Sequence, residues 1–322
     1  MKVLVVGKQN SLFWVENTVN AFHISGVTVE GFYLNKLDIV DTINKNVLKL
    51  FSKNFVNKKL SQILERKIIS FNPDLILVIS PFMYKSEVFD CLDRFDNIIK
   101  FAWIGDVFGQ EQLKLASKFD KLFVTDYAFI NKSQVFKFPS SKYLPLAVNQ
   151  KRFYDMKLYR SRNLLFIASY TKQRETFLNQ INSIEVKVVG AKWNKNNLAR
   201  NIYCFNKNIT IDDVALAYNK SKFILNIKHE HNVIDGLNMR TFEAISAGGC
   251  LLQDYVKDVE LNFEIDKDIV IYKNLEELNE LISKLDKDKR FYDTIIKNGQ
   301  KIVSQKHTYN HRIKTILEIF KG

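Results

Sequence analysis

The sequence is poor in cysteine, proline, glycine and long apolar runs, and each scarcity excludes a class of protein. The three cysteines, Cys91, Cys204 and Cys250, lie far apart and form no CxxC pair. This argues against a disulfide framework and a structural zinc site, and it is typical of a reducing cytoplasm. No apolar run is long enough to span a bilayer, and the first run stops at Gly7, too early for a signal peptide.

Glycine and proline number only 11 and 4 among 322 residues, which excludes a collagen-like or low-complexity chain. With 46% hydrophobic residues, the chain can bury a sizeable core and is long enough for two domains. The histidines form no convincing ligand set, although His229 and His231 alternate and His307 and His311 lie four residues apart. We therefore expect no metal site.

The net charge of +13 favours an anionic partner, such as nucleotide phosphates, an anionic lipid surface or nucleic acid. The lysines are spread along the chain and form no single block. The charge alone is therefore a weak signal, and we do not expect nucleic acid to be the partner.

Short runs rich in Val, Ile and Leu alternate with helical patterns almost from end to end. Strands are predicted at KVLVVG, VTVEGFY, NPDLILVIS and FAWI, and the pattern restarts with RNLLFIAS, EVKVVG, KFILNI and CLLQD. Such runs predict parallel sheets covered by helices on both faces. The sequence therefore predicts an α/β protein with two doubly wound domains that join near residue 150.

Four motifs follow one another in the second half. They are FIASYTKQRETFL, VKVVGAKWNK, AYNKSKFILNI and the N-x-R-x-F-E-x-x-x-x-G-G stretch NMRTFEAISAGG, from Asn238 to Gly249. In this order they resemble the glycosyltransferases built from two Rossmann-like domains (GT-B), and most of all the group-1-like proteins related to the spore maturation protein CgeB. The resemblance is good over residues 160–320 and weak over the first half.

The resemblance implies two Rossmann-like domains facing a cleft. Residues 1–150 would bind the acceptor, 151–305 would bind a nucleotide-sugar donor, and a final helix in 306–322 would return to the first domain. That basic amphipathic helix leaves a second interpretation open, namely peripheral contact with an anionic membrane. Its apolar stripe favours packing in the core.

The helix that starts within the Asn238–Gly249 motif supplies the main donor residues. A helix N-terminus attracts phosphate, so Arg240 and Thr241, just after Asn238, are expected to bind the diphosphate. Glu243 lies one turn further on and could accept hydrogen bonds from ribose hydroxyls. The alternative is a surface ion pair between Arg240 and Glu243, which would stabilise the helix only slightly.

Other candidate donor residues follow the strands of the second half. Cations after a strand would stabilise charge on a leaving diphosphate. Each candidate has a structural alternative: a solvated helix start, a packed tryptophan or a polar strand end. The candidate residues are Ser169, Lys172, Arg174, Gly190, Lys192, Trp193, Asn226 and His229.

Three positions are candidates for catalysis or for a close approach of the backbone. Asp235 precedes Glu243 by eight residues, as in the paired acidic residues of retaining GT-B enzymes, although the usual residue there is Glu; it could instead form an Asp-Gly turn. Asp106 follows a strand and is the candidate base for an inverting reaction, or else a helix N-cap. Gly7 closes the first strand.

The function expected from the resemblance is a cytoplasmic, metal-independent glycosyltransferase. It would move a sugar from a UDP- or GDP-sugar, its substrate, to a hydroxyl of a glycan, lipid or protein, with no further cofactor. Two alternatives remain open. One is a glycosyltransferase that acts on modified DNA, and the other is a non-catalytic GT-B-like protein that binds a nucleotide or a glycan.

Overall fold

The computed structural model describes residues 1–9, 13–35, 53–206, 209–228 and 233–322. The chain divides into two compact units. Unit 1 comprises Met1–Pro145, His231–Ile234 and Tyr309–Gly322, and unit 2 comprises Leu146–Glu230 and Asp235–Thr308. The chain first crosses between units after Pro145, where the sequence predicts a join near residue 150.

Unit 1 contains a six-stranded parallel sheet with the order β2-β1-β3-β4-β5-β6. Its strands are β1 Lys2–Gly7, β2 Thr28–Tyr33, β3 Leu75–Ile79, β4 Ile99–Ile104, β5 Lys121–Val124 and β6 Ser141–Tyr143. Its α-helices are α1 Trp14–Ile24, α2 Lys53–Phe71, α3 Leu113–Ala116, α4 Ala128–Val135 and α11 Tyr309–Lys321. Short 3-10 helices span Pro81–Met83, Ser86–Arg94 and Gln110–Gln112.

Unit 2 contains a second six-stranded parallel sheet with the order β12-β11-β10-β7-β8-β9. Its strands are β7 Ser161–Ile167, β8 Val186–Val189, β9 Ile202–Phe205, β10 Ser221–Asn226, β11 Cys250–Asp254 and β12 Val270–Tyr272. Its α-helices are α5 Lys172–Leu178, α6 Ile211–Lys220, α7 Met239–Ser246, α8 Val259–Asn262, α9 Leu275–Lys287 and α10 Lys289–Lys306. A 3-10 helix spans Lys195–Asn197.

The apolar strand pattern produces this architecture. In β1, every residue from Val3 to Gly7 is buried, and all five residues of β3 are buried as well. Strands buried on both faces need helices on both sides of the sheet, and helical patterns fill the chain between them. The predicted fold class, α/β with two doubly wound Rossmann-like domains, is confirmed.

Side-chain caps fix where several helices of unit 2 begin. Thr171 accepts a hydrogen bond from the Arg174 amide at 3.3 Å, and Asn274 accepts one from the Glu277 amide at 2.9 Å. Thr210 and Asp213 cap each other's backbone at the start of α6. Such caps occupy amides that the first helical turn leaves unpaired.

The last helix, α11, belongs to unit 1. Ile313 and Ile316 of this helix are fully buried, and the Arg312 guanidinium donates to the Pro145 carbonyl at 2.6 Å. These two residues of its apolar stripe are therefore covered by protein. Among the described residues, no helix is both long and apolar enough to cross a membrane.

Candidate functional site

The candidate site of unit 2 lies at the carboxyl ends of its central strands. The sheet reverses its strand order between β7 and β10, which are neighbours although β8 and β9 lie between them in sequence. Open α/β sheets bind ligands in the crevice beyond the carboxyl ends at such a switch point. The residues that follow β7 and β10 are thus the first place to search for a ligand site.

Arg174, near the start of α5, spans this switch point. Its guanidinium donates to the Ser169 carbonyl, after β7, at 3.0 Å and to the Ile227 carbonyl, after β10, at 3.5 Å. The side chain is only 5% exposed and lies 5.6 Å from the Phe166 ring centroid. Burial, together with the nearby Arg240 charge, lowers the pKa of Arg174 to about 10. The group still carries its positive charge at neutral pH.

Arg240 brings a second guanidinium to the same place from the first turn of α7. It donates to the Asn226 side-chain oxygen at 3.3 Å, and its charge lies close enough to the buried Tyr218 hydroxyl to oppose the rise of the Tyr218 pKa that burial causes. The two arginine charges repel each other, since the Arg240 charge is near enough to lower the pKa of Arg174. Two converging guanidinium groups form a site for a doubly charged anion.

The N-terminus of α7 adds to this positive potential. Asn238 is its N-cap residue, but the Asn238 side chain makes no capping hydrogen bond. Instead it pairs with Asn226: each amide donates to the other's oxygen, at 3.0 and 3.2 Å. The first turn of α7 therefore lacks its usual side-chain cap, a condition that favours an anion at the helix end.

Buried polar side chains next to Arg240 and Asn238 form a network of hydrogen bonds. Asn226, Thr241 and Gln253 are each at most 2% exposed. The Asn226 amide and the Thr241 hydroxyl both donate to the Gln253 oxygen at 2.9 Å, and the Tyr272 hydroxyl donates to the Asn226 carbonyl at 2.8 Å. Such a fully bonded network is rigid, because each polar group would be costly to leave unpaired.

Glu243 lies beside this network and is 7% exposed, so it does not form the surface pair with Arg240 that the sequence left open. Burial raises the pKa of Glu243 to about 7, and the Arg240 charge opposes that rise. The carboxyl group is therefore partly protonated near neutral pH. It can accept hydrogen bonds from hydroxyl groups when ionised and donate one when protonated.

The Gly-Gly pair that ends the motif lies between α7 and β11. Gly248 adopts a positive φ of 73°, which a glycine tolerates at the end of a helix. A Cβ atom on Gly249 would lie 2.0 Å from the Ile224 Cδ1 atom. The pair lets α7 end sharply and lets β11 approach β10.

Other residues predicted to bind the donor, where the structure describes them, make contacts that do not include Arg174 or Arg240. Lys172 is 77% exposed and pairs with Glu175 at 2.5 Å. Trp193 is buried, and its indole N–H donates to the Ala168 carbonyl at 2.7 Å, which is the position of a packing residue. Lys192 is exposed in the left-handed region at φ 68°, and His229 lies outside the described residues.

Gly190 is required by backbone crowding. Its φ is 154°, and a Cβ atom there would lie 2.1 Å from the Ala168 carbonyl oxygen. The ends of β7 and β8 approach each other closely because this position has no side chain. The approach accounts for the glycine without invoking a nucleotide.

Asp235 is partly exposed, and its carboxylate lies 3.7 Å from the Lys257 ammonium. Its carbonyl accepts a hydrogen bond from the Asp258 amide at 3.0 Å. These contacts fix the loop that precedes α7. They leave the proposed contact with a transferred sugar as a prediction.

In unit 1, Gly7 and Asp106 lie at the carboxyl ends of β1 and β4. A Cβ atom on Gly7 would lie 2.7 Å from the Val15 Cγ2 atom, so this glycine lets α1 pack against the end of β1. Asp106 is partly buried, and burial raises the pKa of its carboxyl group. A carboxylate with a raised pKa is a better proton acceptor, as a general base requires.

Four structural partners were not predicted from the sequence. Tyr218, Gln253 and Tyr272 complete the network of unit 2, and in unit 1 the buried Asp126 accepts hydrogen bonds from the Ala128 and Ile234 amides at 2.9 and 2.7 Å. A polar residue near the end of an apolar strand, as in CLLQD, is the one signal that could have indicated Gln253.

Comparison with known proteins agrees with this architecture. Residues 172–318 match the family model described as glycosyl transferase-like. No curated protein matches the chain in sequence. Sucrose-phosphate synthase from Thermosynechococcus elongatus has a TM-score of 0.70 at 11% identity, covering 100% of this chain and 98% of that one.

Two further solved structures are similar over nearly their full length. A glycosyltransferase from Rickettsia africae has a TM-score of 0.71 at 13% identity, with 99% and 97% of the chains covered. HepE from Anabaena, solved in complex with UDP and glucose, has a TM-score of 0.68 at 12% identity, with 100% and 99% covered. The resemblance to GT-B glycosyltransferases is confirmed, and the closer relation to CgeB stays a prediction.

Proposed function

We propose that this chain, whose second half matches a glycosyl transferase-like family, transfers a sugar from a nucleotide-sugar donor to a hydroxyl group. The observation that carries the proposal is the convergence of Arg174 and Arg240 at the switch point, beside the uncapped N-terminus of α7. A diphosphate has the charge and the oxygen geometry that such donors bind.

The same groups suit the chemistry of the reaction. When the bond between the sugar and the diphosphate breaks, negative charge builds on the leaving phosphate. Fixed guanidinium groups and helix amides stabilise that charge with little reorganisation. We therefore propose that Arg174 and Arg240 bind the leaving diphosphate and stabilise its charge. We also propose that the reaction needs no metal and no cofactor besides the donor.

Glu243 is proposed to accept hydrogen bonds from the ribose hydroxyls, since it is buried next to Arg240 and partly ionised near neutral pH. Asp106 in unit 1 is proposed to take the proton from the acceptor hydroxyl if the reaction inverts the anomeric centre. In a retaining reaction, Asp235 would contact the transferred sugar instead.

UDP is the first nucleotide to test, because HepE was solved with UDP and glucose and with UDP-glucose. The acceptor is proposed to be a glycan, lipid or protein in the cytoplasm. We do not extend the proposal to the membrane, because Ile313 and Ile316 in the apolar stripe of α11 are buried within unit 1.

A thermal-shift screen against UDP, GDP, ADP, dTDP and CMP tests the donor site directly. A ligand at about one hundred times its dissociation constant should add about 2.7 kcal/mol to the free energy of unfolding. Donor hydrolysis is then compared between the wild type and Arg240→Ala. A catalyst releases the nucleoside diphosphate and the variant loses most of this activity, whereas a pure binding protein releases none.

A further inference from the structure

Asn226 and Gln253 face each other across two neighbouring strands. They are register partners in the parallel pair of β10 and β11, so their side chains lie on the same face of the sheet at the same height. Both are buried, at 0% and 2% exposure. Their contacts decide which end of each amide points toward the site.

The orientation of the Asn226 side-chain amide determines whether the Arg240 guanidinium faces its oxygen or its nitrogen. Its nitrogen lies within hydrogen-bond distance of three oxygens, those of Gln253 at 2.9 Å and of Thr241 and Asn238 at 3.2 Å. Its oxygen accepts from the Asn238 amide at 3.0 Å and from Arg240 at 3.3 Å. If the amide were reversed, its NH2 group would face two donors and repel both.

Gln253 holds that orientation. Its own NH2 group donates to the Asp254 carbonyl at 2.7 Å, a backbone acceptor that cannot turn. The Gln253 oxygen must then face Asn226, where it also accepts from the Thr241 hydroxyl at 2.9 Å. The orientation of one amide thus sets the orientation of the next.

We infer that Gln253 is a positioning residue for the anion site and acts through Asn226. We call this chain of amide contacts, from Gln253 through Asn226 to Arg240 and Asn238, the relay. It has two effects at the ligand site. It presents an acceptor oxygen that holds the Arg240 guanidinium, and it engages the Asn238 side chain so that this side chain does not cap α7. Both effects leave positive groups ready for the donor diphosphate, so the inference rests on the proposed function and adds to it.

The test is a double-mutant cycle read by calorimetric titration with UDP, or with whichever nucleoside diphosphate stabilises the wild type. Asn226→Leu removes the acceptor of a charged donor and should weaken binding about 10- to 100-fold. Gln253→Met, which keeps the volume, removes neutral hydrogen bonds and should weaken binding about fivefold. The double variant should bind no more weakly than Asn226→Leu alone, because Gln253 acts only through Asn226.

Tyr292→Phe is the matched control. It removes a hydrogen bond to the carbonyl of Lys222, near the start of β10, and leaves both side-chain amides and the site residues in place. It should therefore cost stability without changing the affinity for the nucleotide. In donor hydrolysis, Gln253→Met should raise the donor KM, whereas a protein that is merely less folded loses kcat and keeps its KM. Gln253→Ala enters the same cycle if the methionine variant does not fold.

The outcomes separate this inference from the function on which it rests. If the wild type binds no nucleoside diphosphate, the proposed function and the relay both fail. If the wild type binds one but Gln253→Met binds it equally well, only the relay fails. The relay also fails if the two single effects add in the double variant, or if Tyr292→Phe weakens binding as much as Gln253→Met does.

Discussion

The two sheets of this protein have six parallel strands each, but their carboxyl ends are built differently. In unit 2 the strand ends carry buried polar side chains that bond to one another, such as Asn226 and Gln253. In unit 1, β1 ends at Gly7, β3 is followed by Ser80 with a left-handed φ of 47°, and β4 is followed by Gly105 and Asp106. The unit 2 edge is a set of side chains fixed by hydrogen bonds to one another, whereas in unit 1 the buried Asp126 that follows β5 accepts hydrogen bonds from backbone amides.

If unit 1 binds the acceptor as proposed, this difference shows how one architecture can serve two ligands. A site for a diphosphate needs charges and dipoles that are already in place, and these are stable only when every buried partner is satisfied. A site for an acceptor hydroxyl needs space and a proton acceptor. Since function lies in the residues at strand ends and not in the sheet itself, the two units can share a fold and differ in chemistry.

Asp106→Asn should give the largest effect and tests the division of roles between the units. If unit 1 supplies the base, turnover should fall about 10²- to 10⁴-fold because no group accepts the proton. Nucleotide affinity should not change, since the anion site belongs to unit 2. Turnover is measured by nucleoside diphosphate release in the presence of acceptor and affinity by titration, and a loss of affinity would contradict the division.

Replacing the strand-end glycines compares the packing of the two sheets. In Gly190→Ala the new Cβ would meet the Ala168 carbonyl at 2.1 Å, and a side chain at φ 154° is strained. The free energy of unfolding should fall by about 3 kcal/mol or more. In Gly7→Ala the obstacle is the Val15 side chain at 2.7 Å, which can shift, so the loss should be smaller. Chemical denaturation of both variants measures the difference, and equal losses would contradict this account.

Glu243→Gln should change stability in a pH-dependent way. Because the folded pKa of Glu243 is raised to about 7, the stability that its protonated form contributes is lost as pH rises through that value. The Gln variant keeps a neutral group, so at about pH 8 it should be more stable than the wild type by up to about 3 kcal/mol. At about pH 4 this difference in the free energy of unfolding should disappear, because Glu243 is then neutral in the folded protein.

The matched variant for this test is Asp106→Asn, whose wild-type carboxyl has a pKa that burial also raises. This variant should also be more stable than the wild type at high pH, but the gain in the free energy of unfolding should be smaller, because Asp106 is less buried than Glu243. Thermal unfolding between about pH 4 and pH 8 measures both variants. If the Glu243→Gln variant had the same pH profile as the wild type, the result would show that Glu243 does not titrate in this range.

Lys172→Ala should give the smallest effect. Lys172 is exposed and already paired with Glu175, so its contribution to an anion site is screened by water. Nucleotide affinity should fall about threefold or less. Lys192→Ala, another exposed lysine after a strand of the same sheet, is the matched control. A much larger loss in Lys172→Ala alone would mean that Lys172 reaches the ligand directly.

Local sequence patterns specify the secondary-structure elements and the motif that contains the candidate site. Apolar runs such as VLVV and LILVI can be satisfied only as buried parallel strands with helices on both faces. The Asn238–Gly249 stretch indicated a helix whose first turn holds Arg240 and whose last residues are glycine. These are local properties, because hydrophobic period and helix-end chemistry act over a few neighbouring residues.

Which polar groups contact one another depends on how distant parts of the chain pack together. The register of β10 with β11 places Gln253 opposite Asn226, 27 residues away, and that pairing turns the Asn238 side chain from a helix cap into a partner of Asn226. Burial likewise turned Trp193 inward and raised the pKa of Glu243. The physical reason is that strand pairing and burial depend on contacts between distant parts of the chain, which no local pattern specifies.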